Sequence, residues 1–458
     1  MNLDWEQALN EYQSVIASGT KRMQIKAIKM LAQFSKRAPE DVLASSIPTL
    51  TGILGREPSN DLDRSLQKAA AYCLKCIASR GDGGLAKEIS RHDGAHCLVK
   101  LLPHSDGKFQ EVLIKCLAII VSFCDESRAI VDEDEGLEII IRLLNSRTDD
   151  VRGYLLEILS ALAMLREVRR DMTRLGALRY LVEALSCGSM VSRERACQAI
   201  GFLGVARRAR RMLVELGVIP KLVELFRYGD GTTKLVAGNT IGVISAHANY
   251  IRPVAQAGAI PLYAELLQGP GPSGKEIAED AFCILAVAED NAVEIAGYLT
   301  RILREGDDEA KAAAADVIWD LSGYKHSIPV IRDSGAIPIL VELLGSGSQE
   351  VKENVSGAIA QLSYDGADRM ELAEAGAIPL LTHMLHDESE ELKNNVAEAI
   401  VNFSEDPLYR DRVSDVVNDL SFRNMQSILN HVRASNEHMS RSLRRMSIEQ
   451  FTSNPSIV

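Results

Sequence analysis

Along most of the chain, apolar residues recur at intervals of three and four, the spacing of a helix with one buried stripe. The stretch Glu350 to Ser363 carries Val351, Val355, Ala358, Ile359 and Leu362 on one such face. Ahead of it, Ile339-Leu340-Val341-Glu342-Leu343-Leu344 supplies a second stripe, separated by the turn Gly345-Ser346-Gly347-Ser348. A shorter apolar stretch, Val330-Ile331-Arg332-Asp333-Ser334, precedes both and ends at Gly335. Gly permits the left-handed backbone that closes a helix, and Pro338 opens the next helix where its missing N–H costs nothing. The pattern predicts three helices, two short and one long, in about forty residues.

This unit repeats. A Gly followed by small or apolar residues stands at Gly94, Gly136, Gly176, Gly217, Gly258, Gly297, Gly335 and Gly376, with steps of 42, 40, 41, 41, 39, 38 and 41. Ile47-Pro48 opens an earlier unit whose long helix holds Ala70 to Ala78, and Ala27 to Phe34 reads as a lone third helix. Through G-A-I-P-x-L-V-x-L-L and A-x-A-I/L-x-x-L-S, the sequence resembles the armadillo family over residues 20 to 415, most strongly at 217–404.

The resemblance implies an all-α, right-handed superhelical armadillo-repeat solenoid of about nine three-helix repeats plus an N-terminal fragment. The expected organisation is N-terminal capping helices at 1–40, the repeat array at 41–415, an amphipathic capping helix at 416–448 and a disordered tail at 449–458. Phe422, Met425, Leu429, Val432, Asn436, Met439, Leu443 and Met446 form a heptad stripe that suits an end cap, or alternatively a coiled-coil partner helix.

Composition agrees with a folded helical protein: 46% hydrophobic residues, 5% aromatic, mean hydropathy −0.02. The acidic, polar start (Met1-Asn2-Leu3-Asp4-Trp5-Glu6) is unlike a secretory signal, and the strongest apolar stretch, Cys116 to Val121, is far too short to cross a membrane. Eight cysteines in such a chain read as reduced thiols, so a cytoplasmic, also nuclear, location is expected. A net charge of −12 argues against nucleic acid as the main ligand.

Motifs that could carry chemistry dissolve on inspection. Gly269-Pro270-Gly271-Pro272-Ser273-Gly274-Lys275 fits G-x-x-x-x-G-K, but a helix precedes it and Glu276 follows the Lys where a phosphate loop needs Ser or Thr. The turn is read here as two residues longer than its neighbours. Cys73 and Cys76 form C-x-x-C without a second pair. His92 and His96 flank Gly94, which breaks the helix a zinc-binding H-E-x-x-H requires. The expectation is a non-enzyme without cofactor, metal or catalytic residues.

Function then rests on surfaces. Armadillo members hold an extended peptide with an Asn near the end of the third helix, and transport-type members add a Trp four residues earlier. Here the Asn position reads Gln33, Cys76, Val121 or Ser122, Ala161, Phe202, Val243, Ala286, Asp320, Gln361 and Asn402. The Trp position holds Tyr72, Gln198, Asn239, Phe282, Asp316, Gly357 and Glu398. The groove candidates are therefore Phe202, Asn239, Val243, Phe282, Ala286, Asp320, Gln361 and Asn402, with the Phe202–Ala286 strip suited to an apolar helix face or to ordinary packing.

Charge is unevenly spread. Residues 142–215 hold 14 Arg and 8 Asp/Glu, whereas 276–411 hold 28 Asp/Glu and 9 Lys/Arg. Arg166, Arg169 and Arg170 stand one period before Arg207, Arg210 and Arg211. These six form an expected patch for an anionic partner: an acidic or phosphorylated segment, or membrane phosphoinositide. The acidic half suits a basic segment, and Arg444-Arg445-Met446-Ser447 fits a basic-directed phosphorylation site. The leading expectation is a protein-interaction scaffold or adaptor. The alternatives are a nuclear-transport-type cargo receptor and an in-trans substrate adaptor of a ubiquitin ligase.

Overall fold

The computed structural model describes residues 5–133, 135–146 and 151–418, and among them it contains 28 α-helices, one 3-10 turn and no strand. The heptad stripe beyond 418, Ser447 and the tail lie outside the described residues. By internal contacts the chain forms two units, residues 1–203 with 211–217, and residues 204–210 with 218–458.

The predicted grammar is seen clearly in the second unit. Ser327–Asp333 and Ala336–Ser346 are two short helices joined through Gly335, whose φ is +72°, and Gln349–Leu362 is the long third helix. Val351, Val355, Ala358, Ile359 and Leu362 are all fully buried, as their spacing predicts. The third helices of successive repeats pack on one another, 308–322 on 349–362 and 349–362 on 390–405. No single triplet can bury both sides of its third helix, so the neighbours supply the rest of the core.

Polar residues in the turns start several third helices. Asn60 accepts from the N–H of Asp63, Asp230 from Thr233, Asp307 from Ala310 and Ser389 from Leu392. Each satisfies a backbone donor that the helix itself leaves open, contributing about 1 kcal/mol.

Three sequence expectations need correction. Gly297 closes no helix, because Glu289–Glu305 is one continuous helix that fuses the first two of its repeat, just as Glu40–Leu54 does earlier. The residue after Gly297 is Tyr, where Gly258, Gly335 and Gly376 are each followed by Ala-Ile-Pro. Secondly, Gly94 and Gly136 do not take the left-handed conformation. Asp93 (φ 60°) and Glu135 (φ 59°) take it instead. Gly is required there for close approach, since a Cβ on Gly94 would lie 2.6 Å from the carbonyl oxygen of Ile89.

The third correction concerns register. The turn before Pro272 spans four residues against two in the preceding repeat, but the added length comes out of the shorter helix ahead of it, and Pro272 still opens its helix 41 positions after Gly231 opens the preceding one. Phe282 therefore occupies the core position of Ile241, and of Ile318, Ile359 and Ile400 in later repeats, all buried. It lies 6.1 Å from the Tyr263 ring, which lies 5.0 Å from Phe226, both pairs edge to face. Tyr263 also donates its hydroxyl to the carbonyl of Gly238 at 2.7 Å. Buried aromatic groups of this kind hold neighbouring helices in one arrangement.

Candidate interaction surface

The register places the groove candidates. Asn239 is exposed, Val243 half-buried, Asp320 exposed and Gln361 half-buried. Phe282 and Ala286 are not on this face at all: both are buried, and Asp280 and Ile284 stand where they were expected. Asn402 keeps its position but is 4% exposed, and its Nδ2 donates to Ser363 Oγ at 2.8 Å. That amide serves the fold. Gly357 lies beneath Trp319, so close that a Cβ there would enter the indole ring.

What the second unit presents on its third helices is carboxylate. Glu276, Glu279 and Asp280 stand on 272–285, and Asp316 and Asp320 on 308–322. Burial, followed by repulsion from Asp316, Asp320, Asp280 and Glu276, pushes the Glu279 carboxyl up to about 7. Asp280, Asp316 and Asp320 are raised too, each mainly by desolvation and then by neighbouring carboxylates. Cys283 donates its thiol to Asp320 Oδ2 at 3.7 Å, and burial with the surrounding negative charge raises that thiol strongly. None of Glu279, Asp280, Asp316 and Asp320 forms an ion pair among the described residues. Like charges crowded without a counter-cation favour any cation that arrives.

The expected arginine patch divides into two kinds of residue. Arg169 donates Nε to Ala163 O at 2.9 Å and Nη2 to Met164 O at 3.1 Å, with its guanidinium 4.4 Å from the Phe202 ring. Phe202 is thus half-buried under an arginine rather than open to a partner. Arg210, 3% exposed, donates Nε to Gly204 O at 2.7 Å and Nη2 to Val205 O at 3.1 Å. Desolvation depresses both guanidinium pKa values. Arg369 caps Ser363 O and Tyr364 O in the same way, and Arg410 caps Ser404 O. These side chains close the open carbonyls at the end of the preceding third helix. Arg169 and Arg210 are therefore structural. Arg166, Arg170, Arg207 and Arg211 are exposed, with Arg211 paired to Glu215 at 2.8 Å.

Tyr72 stands among the residues read from the sequence, but the lysines over it and over other aromatic rings escaped that reading. In the first unit Lys68 Nζ stands 5.7 Å from the Phe109 ring, Lys75 Nζ 5.0 Å from Tyr72 and Lys115 Nζ 5.3 Å from Tyr154. Lys68 and Phe109 are one repeat (41 positions) apart, so a search for cation–aromatic pairs at the repeat period would have found them.

The motif residues of the sequence are accounted for locally. Lys275 is held by Glu309 at 2.6 Å, Cys73 is buried, and His92 approaches Glu88 at 3.2 Å. Among the described residues no His, Cys, Asp and Glu group has metal-binding geometry, and no helix is long and apolar enough to cross a membrane.

Residues 325–364 and 367–405 match the Armadillo/beta-catenin-like repeat. A solved engineered protein is 23% identical, covering 86% of this chain and 98% of its own, with a TM-score of 0.66. A second solved chain comes from work on a phosphorylation switch controlling the interaction between cadherin and beta-catenin. It is 15% identical over 90% of this chain and 83% of its own, with a TM-score of 0.64. No curated protein sequence matches the chain. The chain is an all-helical solenoid of the armadillo type. It carries the armadillo repeat by sequence in its last two triplets and by fold elsewhere.

Proposed function

We propose that the chain is a non-catalytic protein-interaction scaffold, and that the third-helix face of its second unit holds a basic segment of a partner protein. The observation that carries this reading is the row Glu279, Asp280, Asp316 and Asp320, crowded and without ion pairs among the described residues. A lysine or arginine entering that row relieves repulsion already present in the free protein, which favours binding. The nuclear-transport reading lacks its amide ladder, since Asn402 bonds Ser363 instead. Of the six arginines expected for an anionic partner, Arg169 and Arg210 are engaged in helix capping and Arg211 pairs with Glu215.

The test is fluorescence anisotropy of a labelled Lys/Arg-rich peptide against the full chain and its D316N/D320N variant. The reading expects binding that weakens with salt and falls by about tenfold or more in the variant. Equal binding by a Gln-substituted peptide, or an unchanged affinity in the variant, overturns it.

A further inference from the structure

The first unit shows the opposite electrostatics on the equivalent helices. Lys21–Phe34, Asp61–Ala78 and Gly107–Phe123 pack in succession and together hold nine Lys/Arg against three Asp/Glu. Two of those three acids are already engaged, Asp63 with Lys21 and Glu111 with Lys115. Arg22, Lys26 and Lys29 stand at i, i+4 and i+7, and with Ile25, Met30 and Gln33 they line a shallow cavity. Lys68, Tyr72 and Lys75 repeat the arrangement on the next helix. Arg22, Lys26, Lys29, Lys68 and Lys75 form no ion pair among the described residues.

Aromatic residues run through this basic face. Tyr72 is 47% exposed and Tyr154 36%, and each lies under a lysine of its own face. A ring beneath an ammonium group lowers the cost of holding positive charge at a fixed point on the surface. The ring's remaining area stays available to an apolar side chain. Those two properties together fit a chain that alternates negative and apolar residues. They fit a nucleic-acid strand poorly, because the lysines cover ring faces on which bases stack, and the protein carries a net charge of −12.

We propose that this face is a second docking surface, and that it binds an acidic, extended segment of a protein partner. Carboxylates of the segment meet Lys26, Lys29, Lys68 and Lys75, and an apolar side chain rests on Tyr72. The site involves neither the carboxylate row nor the exposed first-helix arginines. It therefore stands or falls independently of the basic-segment reading.

The experiment uses the full chain and three fluorescein-labelled probes: a peptide alternating Glu with Leu and Ser, the same peptide with Gln for Glu, and oligo-dT. Anisotropy is read at low and at raised salt. The acidic peptide is expected to bind and to weaken with salt. K68E/K75E is expected to lower its affinity by about tenfold or more, with K26E/K29E acting in the same direction. Tyr72→Ala should give a smaller loss, while the Lys/Arg-rich peptide should bind all variants as it binds the parent chain. Thermal melts show that each variant is folded. Failure of the acidic peptide to bind, equal binding of the Gln peptide, insensitivity to both charge reversals, or tighter binding of oligo-dT overturns the proposal.

Discussion

Arg210 donates its Nε to the carbonyl of Gly204, six residues back, at 2.7 Å, and Arg169 makes the equivalent bond to Ala163 at 2.9 Å. Arg369 and Arg410 reach back by the same six residues to Ser363 and Ser404. A basic residue near the start of a repeat thus terminates the long helix of the repeat before it, linking consecutive triplets by hydrogen bonds as well as by apolar contact.

Arg210→Ala should therefore destabilise the protein by about 1–3 kcal/mol, since it takes the donor from the buried carbonyl of Gly204 and from the part-buried one of Val205. Arg207→Ala, three residues earlier and exposed, should stay within about 0.5 kcal/mol of the parent. Urea denaturation of both variants makes the comparison. Equal effects would show that Arg210 acts only as surface charge.

Phe282 behaves as core. Phe282→Ala should cost about 3–5 kcal/mol through the cavity left beside Tyr263. Gln361→Ala, at a half-buried position on the groove side of a third helix, should change the melting temperature much less. A Phe282→Ala chain that melts like its parent would contradict the register assigned to this helix.

Two glycines should respond in opposite senses. A Cβ on Gly297 meets nothing within 4 Å, and the residue sits inside the helix Glu289–Glu305, so Gly297→Ala should stabilise by about 0.5–1 kcal/mol. Gly94→Ala should destabilise, because its Cβ would press on the Ile89 carbonyl and Cγ2. Melting curves of the pair decide the matter, and a stabilised Gly94→Ala would refute the close-approach argument.

The raised carboxyl of Glu279 gives a signed pH dependence. Its folded value of about 7 lies above its unfolded value, so its contribution to stability is full below about pH 4.3 and is lost as pH rises through about 7. Glu279→Gln should accordingly raise stability at alkaline pH and leave it nearly unchanged in acid. A basic peptide binds the ionised form, so its affinity for the parent chain should rise from about pH 6 to pH 8. A pH-independent dissociation constant would remove Glu279 from the site.

Much of the fold was legible because it repeats. The 41-residue step, the Gly335-Ala336-Ile337-Pro338 junction and the stripe Val351 to Leu362 each specify local structure, and neighbouring copies reinforce the reading. Legibility failed where local chemistry departs from the repeat. Gly297 stands at the junction spacing, but its backbone is not left-handed and the helix Glu289–Glu305 runs straight through it. Phe282 reads as either groove lining or ordinary packing while the longer turn before Pro272 hides the helix register, and burial beside Tyr263 places it in the core.

The surface was harder to read than the fold for a physical reason. Periodicity locates an arginine on the first helix but does not say whether its guanidinium turns outward or back onto a carbonyl, and Arg169 and Arg210 turn back. Two of the lysine–aromatic pairs of the first unit, Lys68 with Phe109 and Lys115 with Tyr154, join residues about one repeat apart, so no short motif announces them. The carboxylate row was visible as a charge excess, while its crowding emerged only from the packing of 272–285 with 308–322.

Amide hydrogen exchange of the full chain, with and without the Lys/Arg-rich peptide, tests the central claim most directly. The account predicts new protection concentrated in helices 272–285 and 308–322, with the lysine-bearing helices 21–34 and 61–78 unchanged. Protection confined to those first-unit helices, or none anywhere at a peptide concentration that saturates the anisotropy signal, would contradict it.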